Sequence, residues 1–497
     1  MRRIVAMGAF LSAAFIAGVG WGDVKPNNLF SDHTVLQSGV PVPIWGTAQA
    51  GENVTVSFAG QKQSVVAGAD GKWLISLGNL EAGASGEMTI AGKNSVVVHD
   101  VLVGEVWVGS GQSNMQFSVG PSPTVKAYNG VTNAEQEIAA ANYPQIRMYT
   151  VKTTLAGEPK DDSIGEWEVC TPENVKAFSG VGYFFSRDLH QALKVPVGFI
   201  NSSFGASCAE AWVSREAMES DPKLGGLMAN FQAAMGAWAA RGKAPATQTA
   251  AGRKARGPHD PLQDQHNPTV TWNGMIHPIV PYAIRGVVWY QGESVIGGTA
   301  GDKLYPRVME ALVTSWRKAW NEGDFPFYVV QLAGQDAASN NPVIRESQAA
   351  VLSLPNTGMA VAIDIGEKKA VHPKDKQDVG DRLSRIALAN VYGKAIEYSG
   401  PVYESMAVEG GAIRIKFSHL GGGLVAKDGE LKTFVIAGAD GKFVPAVAKI
   451  DGDTVVVSSP DVAQPANVRY AWMNWAEGCN LCNAAGLPAG PFRTDKD

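Results

Sequence analysis

What this sequence has little of narrows it before any motif is read. Positive charge is not in surplus: the 497 residues carry a net charge of −5, which leaves no electrostatic footprint for nucleic acid. The one basic cluster, Arg253, Lys254 and Arg256, lies in a Gly/Ala/Pro-rich stretch and reads as a solvated loop. Long apolar runs are missing too. The single candidate, residues 4–19, is shorter than the roughly 20 apolar residues that a membrane span needs, and it contains Gly and Ser. With Arg2 and Arg3 before it and small residues ahead of Asp23, it reads as part of a signal peptide over residues 1–22. The mature chain is therefore expected to be secreted or periplasmic, with no membrane attachment. Cysteine is scarce: Cys170, Cys208, Cys479 and Cys482 allow three pairings, and the sequence does not choose among them. Cys479 and Cys482 have the spacing of a zinc pair, but no second ligand pair accompanies them, so no metal site is expected.

What is present describes a large globular protein. Hydrophobic residues make up 45% of the chain and charged residues 18%, enough for a core and unlike a disordered sequence. The length points to two to four domains. Residues 23–100 are expected to form an N-terminal β-rich domain, with strand-like segments at 40–45, 54–58 and 95–98 and turns at 51–52 and 69–72. Pro41 and Pro43 restrict the first of these segments to a sheet edge. From Val101 the character changes. Apolar strands at 101–108, 195–200, 285–289, 327–331 and 358–363 alternate with helical segments such as 181–193 and 305–320. That alternation predicts an α/β domain over 101–395, with a parallel sheet covered on both faces and its sites in the loops after the strands. Residues 239–268, rich in Ala, Gly, Pro and Gln, read as a mobile insertion. A C-terminal β-rich domain is expected over 396–475, followed by a tail at 476–497.

The strongest local signal lies at 104–115, where an apolar strand runs into Gly109-Ser110-Gly111-Gln112-Ser113-Asn114-Met115. A serine nucleophile needs such a position, with an exposed hydroxyl and a backbone N–H free to meet an oxyanion. Taken alone, Gly-x-Ser after a strand is equally a tight turn. Three further blocks accompany it: Trp272-Asn273-Gly274-Met275-Ile276-His277-Pro278, Val288-Trp289-Tyr290-Gln291-Gly292-Glu293-Ser294, and His372-Pro373-Lys374-Asp375-Lys376. Together with Gly478-Cys479-Asn480-Leu481-Cys482-Asn483 near the end, these resemble, in order and from about Asn28 onward, the SGNH-hydrolase carbohydrate acetylesterases of the sialate O-acetylesterase type. The resemblance implies an SGNH-type three-layer α/β/α domain flanked by the two β-rich domains. It also implies a serine esterase that removes acetyl groups from sugars through an acetyl-serine, with an acetylated sugar or glycan as its partner and no cofactor.

The resemblance assigns Ser113 as nucleophile and His372 as general base. Independently, His372 follows a strand and precedes a helix whose apolar positions Val379, Leu383, Ile386, Ala387 and Val391 share one face. With Pro373 as first helical residue, His372 is expected at the helix N-terminus, where the dipole disfavours imidazolium. For the oxyanion the expected donors are Ser113 N–H, Gly205 N–H in the run Phe204-Gly205-Ala206-Ser207, and the side chain of Gln291. The family commonly has Gly-Gly-Thr where this chain has Gly205-Ala206-Ser207, a change that spares a backbone donor. The acid that orients the base is less defined. Many SGNH enzymes carry Asp three residues before the His, and close relatives an acid two before, whereas this chain has Lys369 and Ala370. Glu293 is the first choice, Asp364 the second, and a Ser–His dyad a third.

His277, between Ile276 and Ile279, is expected to be a buried, satisfied histidine. Trp107, Trp212, Trp289 and Tyr290 flank the loops; most are expected to be core, with at most one or two in contact with a sugar ring. The rival from another class is a non-catalytic carbohydrate-binding protein on a degenerate esterase scaffold. A metal-dependent hydrolase is disfavoured because no His-x-x-x-His or Asp/His cluster has ligand spacing.

Overall fold

A computed structural model describes residues 23–241, 260–295, 301–336 and 341–495. The expected signal peptide lies outside the described residues, as do residues 242–259 of the expected insertion. The helix Gly225–Arg241 leads into that segment, and a short 3-10 turn at Pro261–Gln263 follows it.

The fold is mixed α/β. Its centre is a sheet built on one long strand, β1 (Ser95–Gly111). The first half of β1 pairs antiparallel with Ser85–Ala91, and residues 102–104 pair in parallel with Val35–Gln37. Asp100, with φ +52°, sits where the register against Ser85–Ala91 shifts, so a bulge marks the point where the sequence changes character. The second half of β1 is flanked in parallel by β4 (Val197–Ser203) and β5 (Gly286–Tyr290). Outward from these lie β2 (Tyr143–Thr150) beside β4, and β6 (Phe327–Val330) then β7 (Thr357–Ala360) beyond β5, all parallel. The antiparallel strand β3 (Trp167–Cys170) closes the edge at β2.

Every residue of β4, β5 and β6 is buried, as is β1 from Val101 onward. Strands buried on both faces carry apolar runs rather than alternation, which is why they were readable in the sequence. Helix α2 (Gly180–Leu193) follows its expected span closely, α3 (Gly301–Trp320) starts earlier than the expected residue 305, and α4 (Lys376–Asn390) is the helix after His372. On α4, Val379, Leu383, Ile386 and Ala387 are buried as their spacing requires. Gly380 faces Phe184 of α2 so closely that a Cβ there would lie 2.5 Å from the Phe184 Cβ.

Two expectations are corrected here. Val42–Thr47 is a sheet edge only along its proline-bearing half. Gly46 and Thr47 also pair with Lys25–Pro26, so that end is enclosed. Helix α4 begins at Lys376 rather than Pro373, because the Asp375 carboxylate caps it by accepting from Asp378 N–H. His372 therefore stands in the preceding bend, not on the helix.

Beyond residue 400, two four-stranded antiparallel sheets and one pair enclose a second core that includes Ile413, Ile415, Phe434, Val455, Val457 and Tyr470. Ile363 belongs to the same core, and the fully buried Arg345 donates to Leu332 O, Ala333 O, Met473 O and Asn474 O. All four cysteines are free thiols. Among the described residues, no helix is long and apolar enough to cross a membrane.

Candidate active site

The parallel strands deliver their C-terminal ends to one place. β1 ends at Gly111, whose φ of +129° and whose approach to Tyr290 admit no side chain: a Cβ there would lie 2.2 Å from Tyr290 O. The chain then turns into a single helical turn, α1 (Ser113–Gln116), held by Gln112 N–H to Tyr290 O (3.0 Å) and Ser179 Oγ to Met115 O (2.6 Å). Ser113 is its first residue, so its N–H has no acceptor within the helix. The side chain of Gln112 accepts from Gly292 N–H and Ser294 N–H, which fastens the loop after β5 to the serine turn.

Gly205 comes from the turn after β4. A Cβ built on it would stand 3.7 Å from the Ser113 Cβ, so the two expected oxyanion donors are neighbours. Here Gly205 N–H donates to Gln116 Oε1 (3.0 Å), and the Tyr128 hydroxyl donates to the same oxygen (3.0 Å). Ala206 adopts φ +59°, a left-handed conformation that the family's glycine would take more readily. Gln291 is fully buried; its Nε2 donates to Ser207 O (3.3 Å), and its Oε1 accepts from the Tyr305 hydroxyl (3.0 Å).

His372 joins this group through Asn114, which donates to Val371 O at 2.9 Å, the carbonyl immediately before the histidine. Its ring meets the Tyr128 ring edge-on with centroids 5.3 Å apart, and the Phe117 ring at 6.1 Å. Burial and the nearby Lys376 charge lower its pKa from 6.5 to about 4, so the imidazole is neutral at ordinary pH and free to take a proton. This replaces the helix dipole as the reason for neutrality, since the helix starts four residues later. Tyr128 is pushed up to about 12 by burial and then by the negative Glu293, with the Ser113 hydroxyl opposing, so it stays a proton donor.

The two candidate acids part company. Asp364 is held in a two-pronged bond to Arg382, at 2.7 and 2.8 Å, on the side of α4. Glu293 lies at the site. Its Oε1 accepts from Asn114, its Oε2 is buried without a partner, and burial raises its pKa. With Val371 and Pro373 on either side of His372, Glu293 lines a cavity of about 150 Å³. It reaches the histidine segment through Asn114, not by a direct bond to the ring.

Three contributors carried no role in the sequence reading. Asn114 and Lys376 stood inside the quoted blocks, and Tyr128 lay in an unassigned stretch. A signal for Lys376 was present: it sits three residues before Val379 and seven before Leu383, on the apolar stripe of its helix. Trp107, Trp212, Trp289 and Tyr290 are all core, none more than 1% exposed, so none of them faces a sugar. His277 is not buried as expected. It is half-exposed and bonded through Nδ1 to Lys160 O (2.8 Å).

A family model described as a carbohydrate esterase, sialic acid-specific acetylesterase, matches residues 270–389. Sialate O-acetylesterase from Homo sapiens is 29% identical over 532 residues, covering 96% of this chain and 93% of the relative. The Rattus norvegicus protein of the same name is 29% identical and covers 90% of each. Among solved structures, a carbohydrate acetylesterase from Xanthomonas citri is 34% identical, with a TM-score of 0.82 over 95% of this chain and 100% of that one.

Proposed function

Because this chain belongs to the carbohydrate acetylesterases related to sialate O-acetylesterase, and is thus a carbohydrate O-acetylesterase, we propose that it works as a serine esterase through Ser113 and His372. The observation that carries the reading is the Asn114 bond to Val371 O, which ties the residue after the nucleophile to the residue before the base. Ser113 Oγ attacks the acetyl carbonyl while neutral His372 takes its proton. The tetrahedral oxyanion is met by Ser113 N–H and Gly205 N–H, the latter released from Gln116 Oε1 when substrate enters. Gln291 is the third donor once its 3.3 Å bond to Ser207 O is exchanged. Collapse expels the sugar hydroxyl, protonated by His372, and leaves acetyl-Ser113. Water activated by His372 then frees acetate. Glu293 supports the base electrostatically from the far side of Asn114.

The substrate we propose is an O-acetylated glycan, sialylated or of plant or algal origin. The arrangement we propose around it is a three-layer α/β/α unit over 101–395, with β-rich units at 23–100 and 396–475 and a tail at 476–497. Residues 1–22 act as a signal peptide that sends the chain out of the cytoplasm. The test is acetate release from 4-nitrophenyl acetate and from acetylated sialic acid, xylan and xyloglucan, with Ser113→Ala beside the wild type. A fall of about a thousandfold or more in Ser113→Ala is expected, and release undiminished in that variant would refute the mechanism.

A further inference from the structure

A buried lysine stands behind the site and takes no part in the bond-making steps described above. Lys376 is 0% exposed. Its stem fits against Gly180 of α2, where a Cβ would lie 3.2 Å from its own Cβ and Cγ. Its ammonium donates to Asn114 Oδ1 at 2.5 Å and lies over two aromatic faces, 5.1 Å from the Phe117 centroid and 5.3 Å from that of Tyr290. An ammonium has three donors and is strongly hydrated, so removing it from water for a single amide oxygen and two ring faces is unfavourable on its own. The neighbouring groups account for its presence. Asn114 turns its oxygen to Lys376 and its two N–H groups to Glu293 Oε1 and Val371 O. The single amide thus joins the α4 lysine, the carboxylate after β5, the backbone of the base and the serine turn.

We propose that Lys376 is a positioning residue for the esterase reaction: through Asn114 it fixes the orientation of Glu293 and the His372 segment, and its positive charge beside the base disfavours a second cation there. This rests on the Ser113–His372 reading of the site. The titratable groups around Lys376 are the Tyr290 ring at the end of β5, Glu293 from the loop after it, His372, and Glu367 and Asp375 from its own segment, while Tyr128 and Lys376 itself face His372. Burial opposes the ammonium and lowers the lysine to about 7, with the three carboxylates acting against that shift. Its charge is accordingly present below neutrality, in the range where an ordinary histidine would gain its proton. Asn114 has to offer its oxygen to a donor for its N–H groups to face Glu293 and Val371, so the lysine also sets which way the amide points.

The test is the pH profile of kcat/KM on 4-nitrophenyl acetate for wild type, Lys376→Met, Ser113→Ala and His372→Ala, each shown folded by circular dichroism. Removing the ammonium lets the imidazole protonate more easily, so the acid limb of Lys376→Met is expected to move up by about one pH unit. Its plateau kcat is expected to fall about tenfold or more from loss of alignment. A purely structural lysine would lower the yield or the unfolding temperature and leave the limb where it was. An acid limb in folded Lys376→Met that coincides with wild type overturns the proposal. Should Lys376→Met not fold, Lys376→Gln keeps a donor for Asn114 without the charge, and the same two outcomes decide. Full activity in Ser113→Ala or His372→Ala would instead bring down the site reading, and the proposal with it. Inactivity in both with an unshifted Lys376→Met limb overturns the proposal alone.

Discussion

The side-chain amide of Asn114 donates to Glu293 and to Val371 O, so one residue holds the proposed base and the acidic side chain in register with the proposed nucleophile beside it. Truncating it to Asn114→Ala is expected to lower kcat about 10- to 100-fold by misalignment, with a smaller change in KM. The same change strips a partner from buried Glu293 and Lys376. Urea denaturation should therefore report a loss of about 1–3 kcal/mol, the usual cost of orphaning buried polar groups.

Glu293 and Asp364 are separable by paired neutral variants. Glu293→Gln is expected to reduce kcat about tenfold or more, since the electrostatic support of the imidazolium is lost. Asp364→Asn should leave kcat within about twofold of wild type, because its partner is Arg382 and not the histidine. It should instead lower stability by about 1–2 kcal/mol for the weakened charged hydrogen bonds. Steady-state kinetics and thermal unfolding of the two proteins check this together.

Two glycines at the site are expected to fail differently when replaced by alanine. At Gly111 the backbone is left-handed and a methyl would meet Tyr290 O at 2.2 Å, so Gly111→Ala should destabilise the fold by about 2–4 kcal/mol. At Gly205 the new methyl would lie 3.1 Å from the Tyr128 hydroxyl and 3.2 Å from Gln116 Oε1, contacts to side-chain ends rather than to backbone. Gly205→Ala should thus unfold near the wild-type temperature while kcat falls about tenfold, as the methyl crowds the oxyanion position.

The wild-type pH profile follows from the histidine. The base works when neutral, and its pKa is lowered from 6.5 to about 4, so kcat/KM should hold its plateau as pH falls from 7 to 5 and drop only near 4. The sign for stability is opposite to that of a paired cation. In the unfolded chain the imidazole takes its proton near 6.5, so this group contributes a loss of folded stability as pH falls below that value. A kcat/KM titration between pH 3.5 and 8, beside thermal unfolding over the same range, checks both.

How far the sequence reaches is seen in particular residues. The strands at 197–203, 286–290 and 327–330 were legible because burial on both faces forces continuous apolar runs. Ser113 and Gly205 were legible because a strand end followed by small residues must turn sharply. The start of α4 was misread: Pro373 satisfies one rule for a first helical position, but the Asp375 carboxylate, which bonds Asp378 N–H, decides the cap. The strand at 143–150 and the edge strand at 167–170 escaped notice because half of their residues are not buried and break the apolar pattern. Lys376 and Tyr128 escaped because their parts depend on contacts across the chain, to Asn114 262 residues away in one case and to the His372 ring in the other.

The most direct test is acetate release by purified wild type, Ser113→Ala and His372→Ala from 4-nitrophenyl acetate and an acetylated glycan, with a metal chelator present throughout. The account predicts release by the wild type that the chelator leaves unchanged, and a fall of about a thousandfold or more in each folded variant. Release undiminished in folded Ser113→Ala, or release that the chelator abolishes in the wild type, would contradict it.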